Sequence, residues 1–287
     1  MRSIPYTFDT PAPISATLSV PNGDLVCEAS ETTTTTVVVT GRGGERVAPE
    51  DVAVTYSDGR LQVTVPKIQG WLNLLTAGQG PNVKVTLPVG SRVAVEGSYG
   101  DIRLDGGYAA ITIKTSMGDV TVGDSADTDI KTSQGNVRAG RLTGHTVLTT
   151  ANGDIRVAAV DGSAVCKTSN GSVRIDSASG DVRATTANGD VRVDDFAGTL
   201  GGTTTAGDVR VNNARTGSIA ASTRFGDLTF GIPTGTATWV DVSSAAGKVR
   251  NDLDAGDDPG AHAPRLQIRA QTSFGDISLR RSKDERR

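Results

Sequence analysis

Histidine, cysteine, methionine and tryptophan each occur only twice in the 287 residues, and aromatics make up 4% of the chain. Neither His145 nor His262 has a serine, cysteine or carboxylate at a spacing that marks a nucleophilic site. With two tryptophans and four tyrosines, the stacking platforms that sugar-cleaving enzymes favour are scarce. No run of 18 apolar residues is present, which excludes a transmembrane helix. The opening Met1-Arg2-Ser3-Ile4-Pro5-Tyr6 lacks the apolar stretch of a secretory signal, so the expected location is the cytoplasm, with cell-envelope association left open. A formal charge of −3 gives no general attraction to nucleic acid or anionic lipid.

What the chain has in quantity is glycine, 35 residues, and the glycines are ordered. Gly100, Gly118, Gly135, Gly153, Gly171, Gly189, Gly207 and Gly226 follow one another at steps of 18, 17, 18, 18, 18, 18 and 19, and looser copies stand at Gly247 and Gly275. Two and four residues after each glycine the chain is apolar, as at Val191 and Val193 or Val209 and Val211. Five and seven residues before it the chain is again mostly apolar or small, as at Ile113 and Ile111 or Cys166 and Ala164. A spacing of two is the strand period, so each unit carries two short strands that bend at the glycine. A strand this short buries nothing alone. Stacking successive units about 4.8 Å apart buries their inner faces in continuous columns.

The expectation is therefore an all-β protein, a right-handed β-solenoid (β-helix) of about ten 18-residue coils. Residues 1–90 are expected to form a β-rich part or cap continuous with it, 91–280 the repeats, and 281–287 a frayed charged tail. Segments around Gly23 and Gly59 carry the same local pattern at irregular steps. Cys27 and Cys166 fall at inward positions. They read as buried free thiols, with a disulfide or metal site as the alternative.

Outward positions are regular too. The residue after the glycine is usually aspartate (Asp101, Asp119, Asp154, Asp190, Asp208, Asp227, Asp276), and the third is often arginine (Arg103, Arg138, Arg156, Arg174, Arg192, Arg210, Arg250). Alternating columns of opposite charge offset the repulsion within each column, and exposed pairs are worth only ~0.2–1 kcal/mol apiece. Threonine dominates three residues before the glycine, where its hydroxyl is placed to satisfy backbone groups at the bend.

The repeated Thr-Ser-x-Gly-Asp-Val pattern at 115–120, with variants at 168–173 and 272–277, resembles the bacterial putative-adhesin family, a domain of unknown function. That resemblance implies a β-helical fold over about residues 15 to 280 and supplies no catalytic motif. No catalytic, cofactor-binding or metal-binding residue is assigned, and no cofactor is expected. The uniform central units lack the local exceptions that an active site on an outer face requires. Gly201-Gly202-Thr203 does not continue as a calcium-binding nonapeptide. The apolar stretch from Pro66 to Leu75 reads as a plug over an open core end or as a docking patch. The acidic stretch from Asn251 to Pro264 reads as a solvated loop or a cation site. The functional expectation is a non-catalytic interaction or scaffold protein whose partner, another protein or the cell envelope, is unknown. The alternatives are a self-assembling filament and a polysaccharide-active enzyme.

Overall fold

The computed structural model describes residues 2–41, 47–67, 80–253 and 264–282. Most of the apolar stretch (residues 68–79), most of the acidic stretch (254–263, with His262) and the tail 283–287 lie outside the described residues. The chain divides into two compact units, Met1–Gly144 and His145–Arg287.

The fold is all-β, 71% strand with almost no helix. It classes as an eight-stranded closed parallel barrel with extra strands, which corrects the expectation of an open right-handed solenoid of about ten 18-residue coils. The pairing registers show what the even step concealed, because chain order and spatial order diverge in both units.

In the first unit, β1 (Ser3–Asp9), β2 (Ser15–Asn22), β3 (Leu25–Ser30) and β4 (Thr34–Thr40) precede a short 3-10 turn at Pro49–Asp51. Then come β5 (Ala53–Ser57), β6 (Arg60–Thr64), β7 (Asn82–Pro88), β8 (Arg92–Tyr99), β9 (Ile102–Lys114), β10 (Val120–Lys131) and β11 (Val137–Leu142). Strand β2 lies between β6 and β8, and β3 between β7 and β9, all parallel. The Gly23 segment is thus seated directly on the Gly100 segment, with Leu25 opposite Ile102 and Cys27 opposite Leu104. Two antiparallel additions flank this stack, β1 and β7 on either side of β4, and β5 on β6. Gly59 is not a bend of the expected kind. Asp58 (φ 48°) and Gly59 (φ 71°) close a tight hairpin between β5 and β6, the turn that an Asp-Gly pair favours.

The second unit holds β12 (His145–Thr149), β13 (Ile155–Val160), β14 (Ser163–Lys167), β15 (Val173–Ala178), β16 (Asp181–Thr185) and β17 (Val191–Thr203). It continues with β18 (Val209–Phe225), β19 (Leu228–Ile232), β20 (Ala237–Ala246), β21 (Val249–Asn251), β22 (Arg265–Phe274) and β23 (Ile277–Arg281). One row of parallel strands runs β12, β14, β16, second half of β17, second half of β18, β22, β20. The other runs β13, β15, first half of β17, first half of β18, β19, β23, β21. The last strands in sequence, β22 and β23, therefore sit inside β20 and β21.

Columns of like side chains fill the interior. Val191, Val209, Leu228 and Ile277 are aligned and fully buried, as are Val193, Val211, Phe230 and Leu279. Burial contributes about 1.5–3 kcal/mol for each such side chain. The bends admit only glycine. Gly207 has φ +149°, and a Cβ added to it would lie 2.1 Å from the Gly189 carbonyl oxygen. The same carbonyl accepts the Thr204 hydroxyl at 2.9 Å, and Thr186, Thr223 and Thr272 repeat the bond to Gly171, Gly207 and Gly226.

Candidate binding groove

The aspartates that follow the glycines are occupied by the backbone. Asp190 Oδ1 accepts the Asp208 N–H at 2.9 Å, Asp208 Oδ1 the Asp227 N–H at 2.8 Å, and Asp227 Oδ1 the Asp276 N–H at 2.7 Å. In the first unit Asp24, Asp101 and Asp119 do the same for Asp101, Asp119 and Asn136. Each carboxylate satisfies a bend N–H that has no strand partner of its own. Partial burial alone would raise the Asp119 carboxyl pKa. The backbone N–H of Asn136, the Arg138 guanidinium and the Asn136 side chain outweigh it and hold the group below the usual carboxylate range. The arginines pair in part with these acids (Arg138–Asp119, Arg156–Asp154) and in part with aspartates further along the strand (Arg103–Asp105, Arg174–Asp176, Arg192–Asp194). On this face the bend aspartates accept backbone N–H groups and most of the arginines are paired.

The cysteines are equally removed from chemistry. Both are free and buried. Burial pushes the Cys166 thiol up to about 12. Burial likewise pushes Cys27 up to about 12, against a lowering contact from the Tyr108 hydroxyl. His145 stands with its Nδ1 3.0 Å from Ser163 Oγ, a pairing 18 residues apart that the sequence did not single out. The pair faces solvent. No group of three or more potential metal ligands occurs among the described residues.

One outward row of the second unit carries small residues at its centre. Val165, Arg183, Gly201, Ala220, Arg269 and Asp241 are consecutive register partners on β14, β16, β17, β18, β22 and β20. The two central positions are small, and a groove of about 690 Å³ opens over them. That volume lies within the usual range for ligand sites. Arg183 and Arg269 stand on either side of the floor, three strand steps or about 14 Å apart along the stack. Thr199, Thr203, Ser222 and Gln271 line its sides. Trp239, half exposed, lies beyond Arg269, whose guanidinium is 5.5 Å from the indole centroid.

Gly201 itself is telling. A Cβ added there would meet nothing nearer than Arg183 Cγ at 3.9 Å, and its backbone is ordinary strand. Its neighbour Gly202 faces inward, where a Cβ would press on Val209 at 3.1 Å. The fold needs glycine at 202 for packing and has no such need at 201, where the missing side chain only lowers the floor of the groove. The sixth position before the glycine follows no fixed residue type (Ala94, Thr112, Asp129, Val147, Val165, Arg183, Gly201, Ala220), so nothing in the spacing marked the groove.

The fold and this geometry stand beside the following relatives. The Toastrack DUF4097 family model matches residues 17–280, so the chain belongs to the Toastrack DUF4097 family. No curated protein matches the chain. Among solved structures, a "putative adhesin" from Bacteroides fragilis aligns at TM-score 0.42 and 14% identity over 97% of both chains. Another "putative adhesin", from Parabacteroides merdae, aligns at 0.36 and 13% over 98% of this chain and 97% of that one. A "putative lipid binding protein" from Parabacteroides distasonis aligns at 0.34 and 13% over 98% and 97%. Similarity at this level carries no functional argument.

Proposed function

We propose that this protein is a non-catalytic interaction element that binds its partner in the groove of the second unit. The observation that carries this reading is Gly201, a glycine that neither the backbone nor the packing requires, at the centre of an outward row whose two central side chains are small. The commitment of the bend aspartates to backbone N–H groups and the high thiol pKa values support the absence of catalysis. The test compares wild type with Gly201→Trp, which fills the floor. Native-cell material is retained on each immobilised protein and its protein and glycan fractions are analysed. Components held by the wild type and lost by the variant support the reading, and identical retention refutes it.

A second reading, self-association, is favoured by β20 and β21. Among the described residues each pairs along one edge only, and Val249 on β21 is 46% exposed where its register partner Ile277 is fully buried. An open edge of this kind is a template for another chain. Light scattering across a concentration and salt series decides it, since a monodisperse monomer throughout removes this reading.

A further inference from the structure

We infer that the groove ligand is a neutral oligosaccharide, an inference that rests on the binding role proposed above. The charges lining the groove cancel. Arg183 and Arg269 are matched by Asp181 and Asp241, and Asp241 lies 3.9 Å from the Arg269 guanidinium. A polyanion would meet both carboxylates, and a polycation both guanidiniums, so neither sign of ligand gains from the site as a whole. What the lining offers is dense hydrogen bonding of both polarities. The Arg183 guanidinium at one end of the floor and the Arg269 and Asp241 groups at the other have two parallel bonding atoms each, suited to adjacent hydroxyls. The Gln271 carboxamide and the Thr199, Thr203 and Ser222 hydroxyls lie between them.

Shape narrows the ligand further. The floor is made of interior strands, with β17 paired to β16 and β18, and β18 to β22. Their ladder groups are taken, so an extended peptide has no edge to join. Gly201 and Ala220 leave a shallow trough that runs across the strands. A trough with polar walls and a low floor accepts a chain lying along it. Trp239 lines a neighbouring hollow with Thr238 and Gln267 and touches the groove only through Arg269, whose guanidinium lies 5.5 Å from its ring.

The test is calorimetric titration of the full chain with neutral hexasaccharides of glucose, xylose, mannose, galactose and N-acetylglucosamine, with oligogalacturonate as the charged comparator. The variants are Gly201→Trp, Arg183→Ala and, as a control in the first unit, Arg103→Ala. Far-ultraviolet circular dichroism verifies their folding. Saturable binding of at least one neutral sugar is expected, weakened about tenfold or more by each groove variant, unchanged in the control and insensitive to added salt. Arg183 forms no ion pair among the described residues, so its removal tests the ligand contact without breaking an internal one. Binding of oligogalacturonate alone, lost in Gly201→Trp, overturns the neutral-sugar inference and leaves the groove as the site. Sugar binding that survives both groove variants overturns inference and groove together. Silence across the panel at millimolar sugar overturns the inference, and the retention experiment then judges the groove separately.

Discussion

Two glycines six residues apart, Gly201 and Gly207, should respond to alanine with opposite signs. At Gly207 the new methyl would lie 2.1 Å from the Gly189 carbonyl oxygen and 2.6 Å from its carbon, with φ at +149°. Holding alanine in that conformation costs about 1–3 kcal/mol. Moving the Gly189 carbonyl aside also weakens its 2.9 Å bond from the Thr204 hydroxyl, worth about 0.5–1.5 kcal/mol. The sum is a loss of roughly 2–4 kcal/mol. At Gly201 the methyl meets ordinary contact distance and the backbone is unstrained, so alanine should gain about 0.5–1 kcal/mol through reduced chain entropy. Urea unfolding followed by circular dichroism reads both as midpoint shifts, downward for Gly207→Ala and upward for Gly201→Ala. If Gly207→Ala unfolds within about 0.5 kcal/mol of wild type, or Gly201→Ala loses as much as Gly207→Ala, the distinction between a required and an unrequired glycine is wrong.

Neither Cys27 nor Cys166 should react with an aromatic disulfide reagent at pH 8 in the folded protein, and both should react in denaturant, because burial holds both thiols near 12. Asp119 should make stability acid-sensitive. Its folded-state pKa lies below the ordinary value, so its contribution is fully present above the unfolded-state pKa and is lost as pH falls through the folded one. Asp119→Asn should therefore be less stable than wild type at neutral pH, and the gap should close in acid, as urea midpoints along a pH series will show. Thr204→Val removes the donor to the Gly189 carbonyl while keeping shape, and should cost about 1 kcal/mol by the same unfolding assay.

The inward columns were legible because alternation at a spacing of two names the buried face directly. Val191, Val193, Val209 and Val211 are all fully buried. The bends were legible because only glycine tolerates their geometry. Spatial order was not, since a period states that units resemble one another without stating which is adjacent to which. The placement of β2 and β3 against residues 92–105, some 77 positions later, leaves no mark in the spacing. Gly59 misled because an Asp-Gly hairpin and a solenoid bend share the same two flanking apolar pairs. The aspartate column suggested ion pairs, but a carboxylate beside an unpaired bend N–H bonds to that donor first, which charge patterning alone does not reveal. The groove at Gly201 and Ala220 was not legible, because the sixth position before the glycine follows no fixed residue type.

The interleaving of β22 and β23 between earlier strands has a consequence for how the chain reaches its native state. A ribosome releases residues 237–251 before the segment they must rest upon exists, so those residues wait undocked until the chain passes 281. Deleting the C-terminal thirty residues would then strip the support from β20 and β21, which are still encoded, rather than shorten the molecule by its final layer.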